Sequence, residues 1–222
     1  MTASEMMYEA EIMYESIASS DARGYNSAEW SVLLTQAQEN LIMSLVAAGF
    51  DDSEVLRRVV ANLIRYVSIM QFIPQTNILN AYLVDPTSFP SDYYHRVSGR
   101  CSTNSKDNIR LIPIEYDAID INRDNPFRRP DENMFWLLAA EESQVIITDG
   151  STPTAYNLEY LKKAPPIIVE LLTESSIEGE TAAKDCILSP SVHRAIVSEA
   201  AKLAYSYSKD TEGFQLLTST NP

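Results

Sequence analysis

The placement of proline constrains this 222-residue chain more than any other feature of its sequence. Nine of its eleven prolines lie between Pro74 and Pro166, so no long helix is expected in that stretch. The segments on either side instead carry helix caps and apolar residues spaced three and four positions apart. Short apolar runs separate the prolines and predict strands. The order of helices, strands and helix therefore predicts an α+β fold.

Residues 1–75 are predicted to form an N-terminal helical part. Thr2 and Glu5 make a capping box for a first helix, whose apolar residues are Met6, Ala10, Met13 and Ile17. A second helix is predicted from Ser27 to Gly49, where glycine suits the left-handed position that closes a helix. Its expected buried residues are Trp30, Leu34, Ala37, Leu41 and Leu45, whereas its polar residues Gln36, Gln38, Glu39 and Asn40 are expected to lie mostly off that stripe.

A third helix is predicted to follow a second capping box. Asp51 and Glu54 would start this helix, and apolar spacing carries it to about Met70. The expected helical body, residues 2–70, therefore contains three helices whose apolar stripes need partners.

Residues 76–166 are predicted to form a β-rich module inserted into the helical body. The expected strands are Ile78–Val84, Ile109–Tyr116, Met134–Ala139, Val145–Thr148 and Ala155–Leu161. The segment from Glu141 to Gln144 is expected to turn a hairpin between the third and fourth of these strands.

Residues 167–207 are predicted to be a connection followed by a C-terminal helix. Ile167–Leu172 fits a strand or a helix equally well. Ser189 and Pro190 start the helix, with serine as cap and proline in its first turn. The helix carries an apolar stripe, expected to pack on the N-terminal helices, of Val192, Ile196, Ala200, Leu203 and Tyr207. Residues 208–222 are predicted to form an arm that reaches another chain through Phe214, Leu216 and Leu217; folding back onto its own helices is the alternative.

Charge and composition exclude several classes of protein. The net charge of −14 argues against a protein that binds the DNA backbone. Only two histidines and six glycines are present, and no phosphate-loop, GxGxxG or nucleophile-elbow motif occurs. Cys101 and Cys186 indicate buried or incidental thiols, and His193 is expected at a surface or interface. The sequence therefore predicts no catalytic, metal or cofactor site, although a noncontiguous hydrolase site stays open.

The segment Asn125–Pro130 is the clearest candidate site. Two prolines bracket Phe127, Arg128 and Arg129, which makes the loop stiff. Aromatic and arginine side chains are enriched in interface hot spots, so these three residues are candidate interface residues. The alternative is a buried phenylalanine, with the arginines pairing to Asp124 or Asp131.

Three stretches of the chain resemble the neck, or head–tail connector ring, proteins of crAss-like bacteriophages. They are an acidic-aromatic first helix followed by residues 30–42; the Asn125–Pro130 segment after the strand-like residues 112–116; and residues 160–167 followed by 188–197 and an alanine-rich helix. Together these stretches span residues 5–207, and their order and spacing carry the resemblance.

The resemblance implies a virion structural protein and not an enzyme. It implies a ring of identical subunits stacked below the portal, with the portal's twelvefold symmetry, and the portal or other neck and tail proteins as partners. DNA would pass through the ring without sequence-specific binding, and no membrane or cofactor is implied. The protein would be made in the host bacterial cytoplasm. The alternatives are an intracellular acidic interaction module and a hydrolase.

Overall fold

A computed structural model describes residues 1–17, 24–49, 54–140, 143–173 and 175–208. The fold is α+β, which confirms the predicted class. The chain divides into two compact units: a helical unit, formed by Met1–Leu63 and Ala164–Pro222, and a sheet unit, formed by Ile64–Lys163. The helices of the described residues are α1 (Ala3–Ile17), α2 (Ser27–Ala47), α3 (Glu54–Val59), α4 (Ala118–Arg123) and α5 (His193–Ser208).

Local capping boxes start α1 and α2 where the sequence predicts these helices. Thr2 and Glu5 exchange hydrogen bonds at the start of α1, with the Thr2 N–H donating to Glu5 at 2.8 Å. Asn26 and Glu29 form a further capping box at the start of α2. Gly49 has a φ of 72°, and its N–H donates to the Val46 carbonyl at 3.0 Å, as expected of a helix-closing glycine.

The predicted serine cap of the C-terminal helix is wrong. Ser189 makes no capping hydrogen bond, Pro190–Val192 form a 3-10 turn, and α5 begins at His193.

The α5 helix packs against both α1 and α2. An aromatic cluster fills the space between the helices, and its members are Tyr14, Tyr25, Trp30 and Tyr205. The Tyr205 hydroxyl donates to the Met13 carbonyl at 3.1 Å and also to the Tyr14 carbonyl. The α5 helix is thereby anchored to the C-terminal half of α1 by packing and by hydrogen bonds.

Three details of the predicted helix faces are wrong. Tyr207, predicted on the packed stripe of α5, is 58% exposed, and Tyr205 is buried in its place. The buried face of α1 contains Tyr14, while Met13 is 37% exposed. On α2, Gln38 is fully buried and does not lie off the stripe. Its amide nitrogen donates to the Pro165 carbonyl at 2.9 Å, and its oxygen accepts from the Cys186 thiol at 3.2 Å, so both polar ends of the buried side chain are paired.

A row of polar side chains on α2 holds residues 167–169 in an extended conformation. The Ile167 N–H donates to Thr35 Oγ1 and the Val169 N–H donates to Ser31 Oγ, each at 3.0 Å. The intervening Ile168 pairs with Lys184 as an isolated β-bridge. This buried segment is therefore neither the helix nor the regular strand that its apolar run allowed, because side chains of α2 satisfy its backbone.

The sheet unit contains eight strands in the order β1-β8-β4-β5-β6-β7-β3-β2. In chain order these are β1 (Ile64–Ile69), β2 (Phe72–Pro74), β3 (Ala81–Val84), β4 (Tyr93–Thr103), β5 (Ile109–Pro113), β6 (Met134–Ala140), β7 (Ser143–Ile147) and β8 (Pro153–Lys162). The five predicted strands correspond to β3 and to β5 through β8. The β6 and β7 strands pair antiparallel, as the hairpin prediction requires, while residues 141 and 142 of the predicted turn lie outside the described residues.

The prediction of a third helix as far as Met70 is wrong. The α3 helix ends at Val59, and Ile64–Ile69 form β1. All six residues of β1 pair with β8. The helix prediction depended only on the spacing of Val55, Val59, Leu63 and Val67, and the sheet pairing outweighs this local preference. Asp51, the predicted cap, lies outside the described residues.

The longest strand, β4, was not predicted. Its pairing with β8 contains three register shifts, which break the alternation of buried and exposed residues. Because its polar and apolar residues do not alternate regularly, β4 lacks the two-residue period that predicts a strand.

The central strands of the sheet are covered on both faces. Phe135 and Leu137 of β6 belong to one apolar cluster, whereas Trp136 of the same strand belongs to another. The neighbouring β7 is divided in the same way between Ile146 and Ile147. Burial on both sides explains why β6 is a nearly continuous apolar run in the sequence.

Gly99 in β4 lies so close to the core that any side chain at this position would clash. A Cβ atom there would lie 2.5 Å from Cε2 of the buried Tyr156. We expect Gly99→Ala to lower the free energy of unfolding by about 1–3 kcal/mol, the usual cost of overpacking. Gly24→Ala is the matched control, because a Cβ there meets no atom within 4 Å. Urea titrations of both variants measure the difference, and equal stabilities would show that the Tyr156 ring moves aside freely.

Candidate functional site

The candidate loop lies in the crossover between the parallel strands β5 and β6. These strands pair with Arg110 opposite Met134, and every other strand pair in the sheet is antiparallel. Parallel neighbours cannot be joined by a tight hairpin, so the chain must leave the sheet and return. The crossover, residues 114–133, contains α4 and the Asn125–Pro130 turn.

Hydrogen bonds hold the Asn125–Pro130 turn in one conformation. The Phe127 N–H donates to Asn125 Oδ1 at 3.0 Å, and the Arg128 and Arg129 N–H groups donate to the Asn125 carbonyl. From the sheet, Trp136 Nε1 donates to the Arg128 carbonyl at 2.9 Å. The turn is thus braced by its own asparagine and by the strand that follows it.

This bracing holds Phe127 in solvent. Its side chain is 92% exposed, so the alternative of a buried phenylalanine is wrong. Arg128 and Arg129 are exposed, and among the described residues neither forms an ion pair with Asp124 or Asp131. The Arg128 guanidinium instead donates to Asn122 Oδ1, at 3.4 Å. The three candidate interface residues therefore form an exposed group on a rigid turn, and their contacts stay a prediction.

A pocket of about 360 Å³ lies beside the turn. Its apolar lining comes from Ile112, Ile114, Met134 and Trp136, and Phe127 and Arg128 form part of its wall. The nearby side chains of Tyr116 and Ile121 are 69% and 78% exposed. The crossover therefore combines an apolar pocket, exposed apolar side chains and the two exposed arginines of the turn.

The other candidate interface residues, Phe214, Leu216 and Leu217, lie outside the described residues. The predicted arm begins at Ser208, which is the last residue of α5.

The described residues offer little chemistry for catalysis. His193 is buried within the chain, contrary to the predicted surface or interface position, and its Nε2 lies 3.1 Å from the Leu188 carbonyl. Burial raises the pKa of the Cys101 thiol to about 12 and also raises the pKa of Cys186, so both thiols are protonated at neutral pH. In the part of the chain that the structure describes, no group of histidine, cysteine and carboxylate side chains has the arrangement of a metal site, and no helix has the length and apolar character to cross a membrane.

One buried polar network in the sheet unit was missed by sequence reasoning. Tyr156 donates to Gln144 Oε1 at 2.7 Å, and Gln144 Nε2 donates to the Tyr93 hydroxyl at 2.9 Å. Burial raises the pKa of both tyrosines, which keeps their hydroxyl groups protonated, so that Tyr156 is a donor while the oxygen of Tyr93 accepts. Every side-chain end in this row is paired, and so we interpret it as a structural element of the core.

The comparison with known proteins identifies the class to which this fold and its exposed loop belong. The sequence model of the phage tail ring protein 3/4 family matches residues 1–214. This chain therefore belongs to the phage tail ring protein 3/4 family.

Two curated relatives come from Bacteroides phage crAss001. Ring protein 4/5 of that phage is 24% identical over 220 residues, which cover 92% of each chain. Its ring protein 3 is 27% identical over 199 residues, covering 79% of this chain and 83% of the relative. These similarities confirm the resemblance to a ring protein of crAss-like phages.

Proposed function

We propose that this chain is a virion structural protein that forms a ring in the phage neck, between portal and tail. The ring contains twelve identical subunits, matching the portal, and lines or seals the passage for DNA. The match to a ring protein family over residues 1–214 is the observation that carries this proposal. In this function the protein has no catalytic activity and needs no cofactor.

The exposed crossover supports assembly into a ring. A ring closed by rotation needs two different complementary patches on each subunit. The turn with Phe127, Arg128 and Arg129 is proposed as one patch, because an exposed aromatic side chain on a braced loop loses little conformational entropy on binding. Residues 208–222, with Phe214, Leu216 and Leu217, are proposed as an arm that supplies the other patch. The chain would thus be a helical body, formed by both termini, with an inserted β-rich module and an arm.

The acidity of α1 supports a position at the DNA passage. This helix carries Glu5, Glu9, Glu11 and Glu15 and no lysine or arginine. Carboxylates on a channel wall repel phosphates, so DNA would pass without adhering. Within the proposed ring, α1 is therefore assigned to the channel side.

Reversing charges on α1 tests this assignment. We expect Glu11→Lys with Glu15→Lys to slow DNA ejection from purified particles about tenfold, because the lysines would bind the passing backbone. Asp107→Lys with Glu132→Lys, two exposed positions of the sheet unit, makes the same change in net charge and serves as control. Ejection can be followed by the fluorescence of a DNA-binding dye, and equal rates for the two variants would contradict the channel position of α1.

Purified virions test the function itself. Quantitative mass spectrometry should find this chain at twelve copies per particle or a multiple of twelve. Cross-linking followed by mass spectrometry should join it to portal, neck or tail proteins. Absence from particles would eliminate the virion function and favour the intracellular interaction module, and cross-links confined to distal tail proteins would contradict the neck position.

A further inference from the structure

We propose that the pocket beside the Asn125–Pro130 turn binds residues 209–222 of a neighbouring copy of this chain. This inference rests on the proposed ring and names the two surfaces that join its subunits. The pocket lies in the sheet unit, and the segment follows the last helix of the helical unit. One end of each subunit would thus occupy a pocket of the next, which is a heterologous contact.

The pocket has the chemistry of a peptide-binding site. Side chains of two parallel strands supply an apolar floor, and its volume of about 360 Å³ lies in the range of pockets that hold small organic groups. Phe127 and Arg128 stand at its wall, and Arg129 follows on the same turn. An apolar floor with cations at the edge selects a ligand that combines apolar and acidic residues.

Residues 209–222 have the complementary composition. Phe214, Leu216 and Leu217 supply apolar side chains, and Asp210 and Glu212 precede them in the sequence. The two carboxylates equal the two arginines in number and are opposite to them in charge, and arginine binds carboxylates through two parallel hydrogen bonds. The interval from Ser208 to Phe214 is six residues, which reach about 20 Å when extended.

The same features argue against DNA as the occupant. Arg128 and Arg129 are two positive charges in a protein of net charge −14, so the long-range field repels nucleic acid. The side chains of Ile112, Ile114 and Met134 in the floor have no donors for phosphate oxygens, and the Trp136 N–H already donates to the Arg128 carbonyl, whereas this apolar surface suits leucine and phenylalanine.

A photo-crosslinker in the full-length chain tests this contact. Phe214 is replaced by p-benzoylphenylalanine, and equal amounts of heavy-isotope and ordinary protein are mixed and irradiated. We expect cross-links from position 214 to residues 112–136, half of them joining a heavy chain to an ordinary one. The crosslinker at Tyr8, an exposed residue of α1, is the control and should not label the pocket.

Charge reversal tests whether Arg128 and Arg129 contribute to the binding of residues 209–222. Arg128→Glu with Arg129→Glu should reduce cross-linking from position 214 about tenfold, because two charge-assisted contacts are lost. Arg65→Glu with Arg100→Glu, at exposed arginines of β1 and β4, makes the same charge change and should leave cross-linking unaltered. An equal reduction of cross-linking by both pairs of substitutions would show that the arginines of the turn do not bind the segment specifically.

The outcomes separate this contact from the proposed function. Cross-links within single chains, cross-links to other regions, or none at all would overturn the binding of the segment by a neighbour, whatever the virion composition shows. Absence of the protein from virions, with cross-links between copies at the pocket, would instead overturn the neck ring and leave the contact standing.

Discussion

A chain with Phe127→Ser, Arg128→Glu and Arg129→Glu is expected to fold normally and to be missing from virions. All three side chains are exposed, so their replacement removes no core packing and the melting temperature should change by no more than about 2 °C. Hot-spot aromatic and arginine residues each contribute about 2 kcal/mol or more to an interface. We therefore expect incorporation to fall by about 100-fold or more when the variant complements a phage that lacks the gene.

A matched variant with the same kinds of substitution at other exposed positions shows whether the location of the changes matters. Met70→Ser, Arg65→Glu and Arg100→Glu also replace one exposed apolar residue and reverse two exposed arginines in the sheet unit. This control should enter particles at the level of the natural chain, as measured by quantitative mass spectrometry. Normal incorporation of the first variant would contradict the assignment of the turn as an assembly surface.

Removing two hydroxyl groups from α2 should produce the largest loss of stability. Ser31→Ala with Thr35→Val leaves the buried N–H groups of Ile167 and Val169 without acceptors. Each unsatisfied group costs about 1–3 kcal/mol, so the pair should lower the free energy of unfolding by about 2–6 kcal/mol. Valine has nearly the same volume as threonine, so the loss of stability at position 35 arises from the hydrogen bonds of the Thr35 hydroxyl.

Ser44→Ala is the control for this pair, because the Ser44 hydroxyl lies on the exposed side of the same helix and donates to the Leu41 carbonyl. Its effect should stay within about 0.5 kcal/mol. Urea titrations monitored by circular dichroism measure all three proteins. A loss below about 1 kcal/mol in the double variant would mean that the 167–169 segment finds other partners.

Caps and proline positions in the sequence were sufficient to predict much of this fold. The capping box of Thr2 and Glu5 and the closing glycine Gly49 act within one helical turn, so their effect is readable from neighbouring residues. The proline-rich middle of the chain indicated strands, and the short apolar runs located five of them. The same prolines singled out the Asn125–Pro130 segment, because their restriction of φ is a property of the residue itself.

Contacts between distant residues decided what the sequence patterns left open. Ile64–Ile69 became a strand because β8, about 90 residues away, supplies the hydrogen bonds of the sheet. Likewise, residues 167–169 are extended because α2 presents Ser31 and Thr35 to their backbone. Neither partner is a sequence neighbour, so no local period could reveal it.

The candidate site shows the same division. Its stiffness follows from Pro126 and Pro130, which the sequence displays directly. Its exposure depends on tertiary structure: the parallel pairing of β5 and β6 forces a crossover away from the sheet, and Trp136 binds the Arg128 carbonyl. A buried and an exposed Phe127 are equally compatible with the local sequence, because burial is set by the surfaces that the rest of the chain brings near.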